Sequence, residues 1–215
     1  MTEVPKSARD GLLALVAADP DLAGIEAACG ALPWRVRPQG FSGLLQAIVA
    51  QQISNQAAAA IWRRLAAVPG ALRPDGMLGL DDASLRGAGL SLPKVAHARA
   101  LAAAFASGQL DTAALDAMDD EAAILAITAV RGMGRWTAEV YLLFAHQRMD
   151  VFPAGDIAVA GAAAALKQLP ARPGPVQLRA LAEQWRPHRA LAARLLWHHW
   201  RFLTGRPAMD DLPTT

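Results

Sequence analysis

The segment 129–138 (AVRGMGRWTA) carries the residue types of an anion-binding turn. An apolar helix is predicted to end before Gly132 and another to begin beside Gly134, because glycine permits the positive φ and close backbone approach of a tight hairpin. The first amides of the second helix then face outward, and Arg131 and Arg135 add charge that suits a phosphate. An ordinary turn between two helices is the alternative for this segment.

Asp156 lies twenty residues after Trp136. Asp156 precedes an alanine-rich run that extends to Leu166, at the position of a helix N-cap, and a lone aspartate there is usually a cap and nothing more. If its carboxylate faces a cleft, it also supplies a fixed negative charge that stabilises a positive charge developing on a substrate. The residues leave both roles open.

The charge of the chain is unevenly distributed. Residues 1–130 hold ten Lys and Arg against thirteen Asp and Glu, a formal charge of −3, whereas residues 131–206 hold eleven against four, a formal charge of +7. Only three of the 21 basic residues are lysines, and arginine binds phosphate bidentately. The basic part is the candidate anion-binding surface, although a codon bias toward Arg and Ala explains the composition equally well.

The composition excludes several classes of protein. The 215 residues are 53% hydrophobic, but charged and polar residues interrupt every apolar run before the ~18 residues of a transmembrane helix. No secretory leader pattern opens the sequence, and the single cysteine, Cys29, cannot supply a disulfide or a four-cysteine zinc or iron–sulfur site. We expect a soluble cytoplasmic protein, associated with the nucleoid if the cell is bacterial.

The elements that must position these residues are predicted to be all α-helical, because alanine dominates and strand-like alternation is nearly absent. The pattern indicates two helical lobes with a cleft between them, approximately 41–150 and 1–40 plus 151–215, in one functional unit of 1–215. The Pro- and Gly-containing segments at 69–70, 73–76 and 172–175 are predicted to be turns. Helices are predicted at 7–18, 21–29, 41–50, 54–67, 82–87, 92–106, 111–117, 119–130, 134–147, 156–168, 175–184 and 187–203.

Taken together, several segments resemble the helix-hairpin-helix DNA glycosylases, most closely the DNA-3-methyladenine glycosylase II (alkylpurine glycosylase) branch. The resemblance covers roughly residues 40–203 and is specific as a set, although each segment alone is weak. Longer members of the family carry an N-terminal β-rich domain, so this chain resembles the compact members. The matching segments are 132–138 (GMGRWTA), 150–153 (DVFP) with Asp156, 41–65 with QQIS at 51–54, and 185–189 (WRPHR) through Trp197.

This resemblance implies a monofunctional glycosylase that flips and hydrolytically excises alkylated purines such as 3-methyladenine and 7-methylguanine during base excision repair. Such bases are cationic and leave readily, so one carboxylate, Asp156, suffices to stabilise the sugar cation. Trp136 occupies the position of the Schiff-base lysine of the bifunctional relatives, which implies hydrolysis without a lyase step.

The resemblance also implies a base-binding pocket formed by Trp136, Trp197, Val140 and Tyr141, because a flipped cationic base is best held against aromatic faces. Val140 stands where the family usually has an aromatic residue, and the pocket is expected to be more open there. The helical spacing of the two tryptophans is also compatible with plain core positions.

Two further DNA contacts follow from the same resemblance. The corner at 50–54 is expected to enter the minor groove, with Gln52 or Ile53 as the wedge that fills the gap left by the flipped nucleotide. Ser54 is predicted to be the N-cap of the next helix; buried or capping glutamines are the alternative for this corner. The DNA backbone is expected to contact Gly132, Gly134, Arg131, Arg135 and Thr137.

No cofactor is required by this chemistry, and the resemblance implies no iron–sulfur cluster. In the family the hairpin often holds a structural monovalent cation through backbone carbonyls, which here belong to Thr128, Val130 and Met133. The expected partner is double-stranded DNA with damaged bases, no membrane is involved, and the protein is expected to be a monomer. The alternatives are a glycosylase for a deaminated, oxidised or mispaired base and a non-enzymatic helix-hairpin-helix DNA-binding module.

Overall fold

The computed structural model describes residues 4–205, and these form thirteen α-helices and two short 3-10 segments with no β-strand in that range. The all-α prediction is confirmed. The 3-10 segments are Pro20–Ala23 and Glu183–Trp185. The helices are α1 (Lys6–Ala18), α2 (Gly24–Cys29), α3 (Gly40–Ala50), α4 (Asn55–Ala66), α5 (Pro74–Gly79), α6 (Asp82–Gly87), α7 (Leu92–Ala106), α8 (Thr112–Ala117), α9 (Asp120–Thr128), α10 (Arg135–Phe144), α11 (Ile157–Leu166), α12 (Pro175–Ala182) and α13 (Arg189–Thr204).

Helix α5 was not predicted, because its first residues have the composition of a turn. The prediction of a turn at 73–76 is therefore wrong. Arg73 is extended, and Pro74 occupies the start of the helix, where its fixed φ and missing N–H cost nothing. Met77 in this helix is fully buried, and α5 packs against α7. Tertiary burial thus stabilises a six-residue helix whose local sequence signals a turn.

Side-chain oxygens cap the N-termini of many of these helices. Asp81, Asp111 and Asp119 accept hydrogen bonds from the backbone amides of Ser84, Ala114 and Ala122 at 2.7, 2.8 and 2.8 Å. A carboxylate at this position satisfies an orphan amide and complements the helix dipole. Part of the acidic charge of residues 1–130 is therefore explained by helix capping.

The described chain divides into two compact units. One unit comprises residues 4–36 and 142–205, and the other comprises residues 37–141, so the division falls inside α10 after Tyr141. None of the helices within residues 4–205 is long and apolar enough to span a lipid bilayer.

The unit of residues 4–36 and 142–205 is built around α13, which packs against α1, α2 and α11. Helices α11 and α13 approach closely because Gly161 has no side chain: a Cβ there would lie 2.5 Å from the ring of Trp200. Leu191 and Leu195 of α13 are buried in the core of the unit. This packing fixes the N-terminus of α11 relative to α13.

A buried carboxylate joins distant parts of the same unit. Asp19 is 3% exposed and accepts hydrogen bonds from Lys167 Nζ at 2.6 Å and from Trp185 Nε1 at 2.7 Å. Burial alone would raise the pKa of Asp19, but the hydrogen bonds from Lys167 and Trp185 outweigh it, and the pKa is lowered overall. The Asp19 carboxylate therefore stays ionised in the folded protein.

The unit of residues 37–141 is organised by α7, which packs against α3, α5 and α6. Val95, Leu101 and Ala102 of α7 are buried, and so is Trp62 of α4. The N-terminal half of α7 lies beside the end of α3 and also beside the turn that follows α9.

Candidate active site

Asp156 is the N-cap of α11, as predicted. Its Oδ1 accepts hydrogen bonds from the amides of Ala158 at 2.8 Å and Val159 at 2.9 Å, and from the indole Nε1 of Trp197 at 3.1 Å. The residue is only 9% exposed. Three N–H donors thus converge on one oxygen, which fixes the orientation of the carboxylate and places its charge at a helix N-terminus.

An ion pair holds the loop that leads to Asp156. The guanidinium of Arg189, at the start of α13, binds the carboxylate of Asp150 bidentately, with both N–O distances at 2.9 Å. The next amide, Ala190 N–H, donates to the carbonyl of Met149 at 3.0 Å. The loop 149–156 is therefore held by α13 at its first residues and by α11 at Asp156. This arrangement brings the Asp156 carboxylate to the indole of Trp197 in α13.

Trp197 lies with one aromatic neighbour. Its ring stacks on Phe144 with a centroid separation of 5.5 Å and an interplanar angle of 26°, while its N–H is committed to Asp156. Trp197 is half-buried, whereas the preceding Leu196 is fully buried. Trp197 therefore lies at the edge of the core, and its polar atom contacts the candidate catalytic group.

Arg194 is a buried cation behind this stack that the sequence did not indicate. It is 5% exposed, and its Cζ lies 4.1 Å from the ring centroid of Trp34 and 4.6 Å from that of Phe144. Its Nη atoms donate to the carbonyls of Arg35 and Leu143 at 3.0 Å each. The carbonyls and the aromatic faces compensate its charge, so this arginine fixes Phe144 and is not positioned to bind a phosphate.

In the unit of residues 37–141, α9 and α10 are joined by the predicted glycine hairpin. Gly132 has φ +91, and a Cβ there would lie 2.3 Å from the ring of His97. A Cβ at Gly134, in contrast, would meet no atom within 4 Å. Gly132 is therefore required by the protein's own packing, whereas Gly134 leaves open space beside the first turn of α10. Arg131 is exposed next to this turn.

Arg135 is paired with two carboxylates. Its two Nη atoms donate to the two oxygens of Glu121 at 2.7 Å each, and its Nε donates to Glu139 at 2.9 Å. The hydrogen bonds to Glu121 and the charge of Glu139 raise the pKa of Arg135. Thr137 is 5% exposed. Arg131 is also predicted to contact the DNA backbone. Its side chain is exposed to solvent and, unlike Arg135, it is not held by carboxylates in the described residues.

The predicted base-pocket residues of α10 differ in exposure. Trp136 is 42% exposed and so is not a core residue, while Val140 and Tyr141 are each 3% exposed. The Tyr141 hydroxyl accepts a hydrogen bond from the amide of Gly40 at 2.8 Å, and burial raises the pKa of Tyr141 to about 12. Tyr141 is therefore a neutral phenol that holds the start of α3.

The corner between α3 and α4 is an exposed turn. Gln52 has φ +57, which is unusual for a residue with a side chain, and Ile53 is 36% exposed. Ser54 caps α4 by accepting from the amide of Ala57 at 3.3 Å, as predicted. Gln51 instead turns inward, and its Nε2 donates to the carbonyl of Gly132 at 3.1 Å.

The predicted ligands of a monovalent cation are backbone carbonyls at the end of α9 and in the hairpin. Thr128 ends α9, so its carbonyl and that of Val130 lie where helix-end carbonyls lack intrahelical donors. Val130 O accepts the Met133 amide at 3.0 Å and retains a second lone pair. Within residues 4–205, no group of three or more His, Cys, Asp or Glu side chains is placed to hold a metal ion.

The Asp156 cap of α11 and the glycine hairpin between α9 and α10 are the two elements that the resemblance to DNA glycosylases predicts. Residues 45–188 match the HhH-GPD superfamily of base excision DNA repair proteins, and the chain belongs to this family. The prediction of a helix-hairpin-helix glycosylase fold is confirmed.

Relatives of known name agree with this assignment. DNA-3-methyladenine glycosylase 1 of Schizosaccharomyces pombe is 29% identical over 165 residues, which are 75% of this chain and 72% of that protein. DNA-3-methyladenine glycosylase 2 of Escherichia coli is 28% identical over 169 residues, 74% of this chain and 57% of that protein.

Solved structures show the same fold. The S. pombe 3-methyladenine DNA glycosylase Mag1 in complex with abasic DNA superposes with a TM-score of 0.79 at 26% identity, covering 94% of this chain and 99% of that one. The DNA-3-methyladenine glycosidase of Bacillus halodurans superposes with a TM-score of 0.82 at 30% identity, covering 91% of each chain.

Proposed function

We propose that this protein is a monofunctional DNA N-glycosylase that extrudes alkylated purines, of the 3-methyladenine and 7-methylguanine type, from duplex DNA and excises them by hydrolysis in base excision repair. The observation that carries the proposal is the Asp156 carboxylate, oriented by three N–H donors beside the indole of Trp197. Relatives named as 3-methyladenine glycosylases support the substrate class. The activity belongs in the cytoplasm, at the nucleoid in a bacterial cell.

The chemistry needs one negative charge and one water molecule. The bond between C1′ and the base nitrogen breaks, its electron pair neutralises the cationic purine, and the purine leaves as a neutral base. Positive charge develops on the sugar, and the side chain of Asp156 stabilises it. Water then adds to C1′ through its oxygen and releases one proton to the solvent, which leaves an abasic site. The alkylated base needs little general-acid help, so one carboxylate is sufficient.

The lysines of the described chain support hydrolysis over a lyase reaction. Lys6 begins α1, Lys94 Nζ donates to the carbonyl of Val49 at 2.7 Å, and Lys167 Nζ is paired with Asp19 and Asp21. Trp136 stands at the position that carries the Schiff-base lysine in bifunctional relatives. A covalent imine with the sugar therefore has no lysine in the hairpin to form it.

The remaining predicted residues complete the proposal. Trp136 and Trp197 stack on the flipped base, because a desolvated cation gains more from an indole face than a neutral ring does. The hairpin amides near Gly134 and the side chain of Arg131 bind the DNA backbone, and Gln52 or Ile53 fills the gap in the duplex. The hairpin carbonyls hold a monovalent cation, and the protein acts as a monomer.

The test is base release from methylated duplex DNA, analysed by chromatography. We expect free 3-methyladenine and 7-methylguanine, intact abasic strands without β-elimination, and loss of release in Asp156→Asn. Duplexes with hypoxanthine, 8-oxoguanine or a mismatch serve as the comparison. Release from one of these in place of methylated purines would assign another lesion to the site, and DNA binding without any release would leave a binding module.

A further inference from the structure

The corner between α3 and α4 is strained and exposed at the same time. Gln52 adopts the left-handed conformation with φ +57 although it has a side chain, and both Gln52 and Ile53 face solvent. Such a conformation is unfavourable for a residue with a side chain and persists only where the surroundings determine it. The contacts that hold this corner in place are therefore informative.

Two polar contacts hold the chain immediately before Gln52. Before the turn, Lys94 Nζ donates to the carbonyl of Val49 at 2.7 Å, and partial burial lowers the pKa of Lys94. Within the turn, Gln51 Nε2 donates to the carbonyl of Gly132 at 3.1 Å. The second contact joins residues 81 positions apart in the chain and connects the corner directly to the hairpin.

The acceptor of the Gln51 hydrogen bond is itself held rigidly. Gly132 has φ +91 and packs so closely against the ring of His97 that a Cβ would overlap it. His97 lies in α7, one turn after Lys94. The end of α3, the first half of α7 and the hairpin thus form one junction inside the unit of residues 37–141, with Gln51 as the side chain that links the corner to the hairpin.

We propose that Gln51 is a positioning residue that sets the corner at a fixed distance from the hairpin, so that the corner enters the duplex where the hairpin holds the backbone. The inference rests on the proposed function only in that the corner inserts into DNA; it does not depend on which base is excised. Because the hydrogen bond is formed before DNA binds, the corner does not have to be ordered during insertion.

This role separates two kinds of DNA complex. Binding to an undamaged duplex uses the hairpin amides and Arg131, and it does not need the corner to be inserted. Binding to a duplex with a gap in the base stack does need insertion. Loss of the Gln51 hydrogen bond should therefore weaken the second complex selectively, by about tenfold, which is the usual effect of one lost hydrogen bond in a partly buried site.

The experiment compares Gln51→Met and Gln51→Glu with the parent protein. Both variants remove the N–H donor at similar size, and Glu also adds a charge. Gln109→Met and Gln109→Glu are the matched controls, because Gln109 is an exposed glutamine in the same unit. Fluorescence anisotropy measures the affinity for an undamaged duplex and for the same duplex with a tetrahydrofuran abasic analogue, and thermal unfolding measures stability.

We expect the preference for the abasic analogue to fall about tenfold in both Gln51 variants, with the undamaged-duplex affinity within about twofold of the parent and the Gln109 variants unchanged. An unchanged preference ratio in folded variants overturns the inference. A parallel loss of both affinities, or of both affinities together with the melting temperature, also overturns it, since that is the result of a general structural role.

A third Gln51 variant and the absence of catalysis from the assay make the test independent of the proposed substrate. Gln51→Asn keeps the amide but is one methylene too short to reach Gly132, and it should show the same reduced ratio. The binding measurement involves no base excision. If the parent protein failed to release methylated purines, the proposed substrate class would be rejected, but the measured effect of Gln51 on the preference for the abasic analogue would still hold. A parent protein without preference for the abasic analogue would reject the positioning role.

Discussion

The replacement of Asp156 by asparagine tests the chemistry with little change of structure. An asparagine oxygen can accept the same bonds from Ala158, Val159 and Trp197 that Oδ1 accepts now, and asparagine is as good an N-cap as aspartate. Only the charge is lost. Two unit charges about 4 Å apart at an effective dielectric of about 20 interact by about 4 kcal/mol, so the rate of base release should fall by at least about 100-fold and by up to about a thousandfold.

The assay for Asp156→Asn is single-turnover release of 3-methyladenine and 7-methylguanine from methylated duplex. Affinity for an abasic-analogue duplex should remain close to that of the parent, because DNA binding does not require this charge. Asp119→Asn is the matched control, since Asp119 caps α9 through the Ala122 amide at 2.8 Å and is exposed. A folded Asp156→Asn protein that releases methylated purines within about threefold of the parent rate would refute the assignment of the carboxylate, because a loss of about 0.7 kcal/mol is far below the ~2.7 kcal/mol of a 100-fold fall.

Three further predictions follow from single contacts. Trp197→Phe keeps a ring in the stack but removes the N–H that orients the carboxylate, so single-turnover release should slow about tenfold at unchanged melting temperature; an unchanged rate would show that the bond is incidental. Gly134→Ala should keep the melting temperature and weaken binding to undamaged duplex in anisotropy titrations, whereas Gly132→Ala should lower the melting temperature; equal behaviour of the two variants would contradict this distinction. Asp19→Asn should lower the free energy of unfolding by about 1–2 kcal/mol at pH 7 in urea titrations, because the hydrogen bonds from Lys167 and Trp185 lose their charged acceptor while Asp21 still pairs with Lys167. Since the pKa of Asp19 is lowered on folding, its stabilisation is present above the unfolded pKa of about 3.9 and is lost as the pH falls below it; a parent and variant that differ equally at pH 7 and pH 2 would contradict the assignment.

The features that were predictable from the sequence are those encoded locally. A glycine pair between two apolar helical stretches, an aspartate before an alanine-rich helix and a serine before α4 each specify a turn or a cap through their own backbone chemistry. The structure has the hairpin, the Asp156 cap and the Ser54 cap at the predicted positions. These three features need no knowledge of tertiary packing.

The features that were not predictable depend on partners far away in the chain. Gln51 and Gly132 are 81 residues apart, and nothing near Gln51 marks its side chain as turned toward the hairpin. Arg194 is of a residue type that is mostly exposed, yet it is buried against two aromatic rings. Helix α5 has a turn composition, and burial of Met77 decides its conformation. In each case tertiary packing overrides the local signal.

The arginines illustrate why charge counts along a sequence overstate a DNA-binding surface. The excess of +7 in residues 131–206 predicted an anion-binding face. In the structure, Arg135, Arg186 and Arg189 form ion pairs with carboxylates, and Arg194 donates to carbonyls in the core. The same planar fork that suits arginine to phosphate also suits it to carboxylates and backbone carbonyls. The charge of an arginine used in this way is already compensated within the protein, so a count of basic residues overstates the number of cations that can release counterions from DNA on binding.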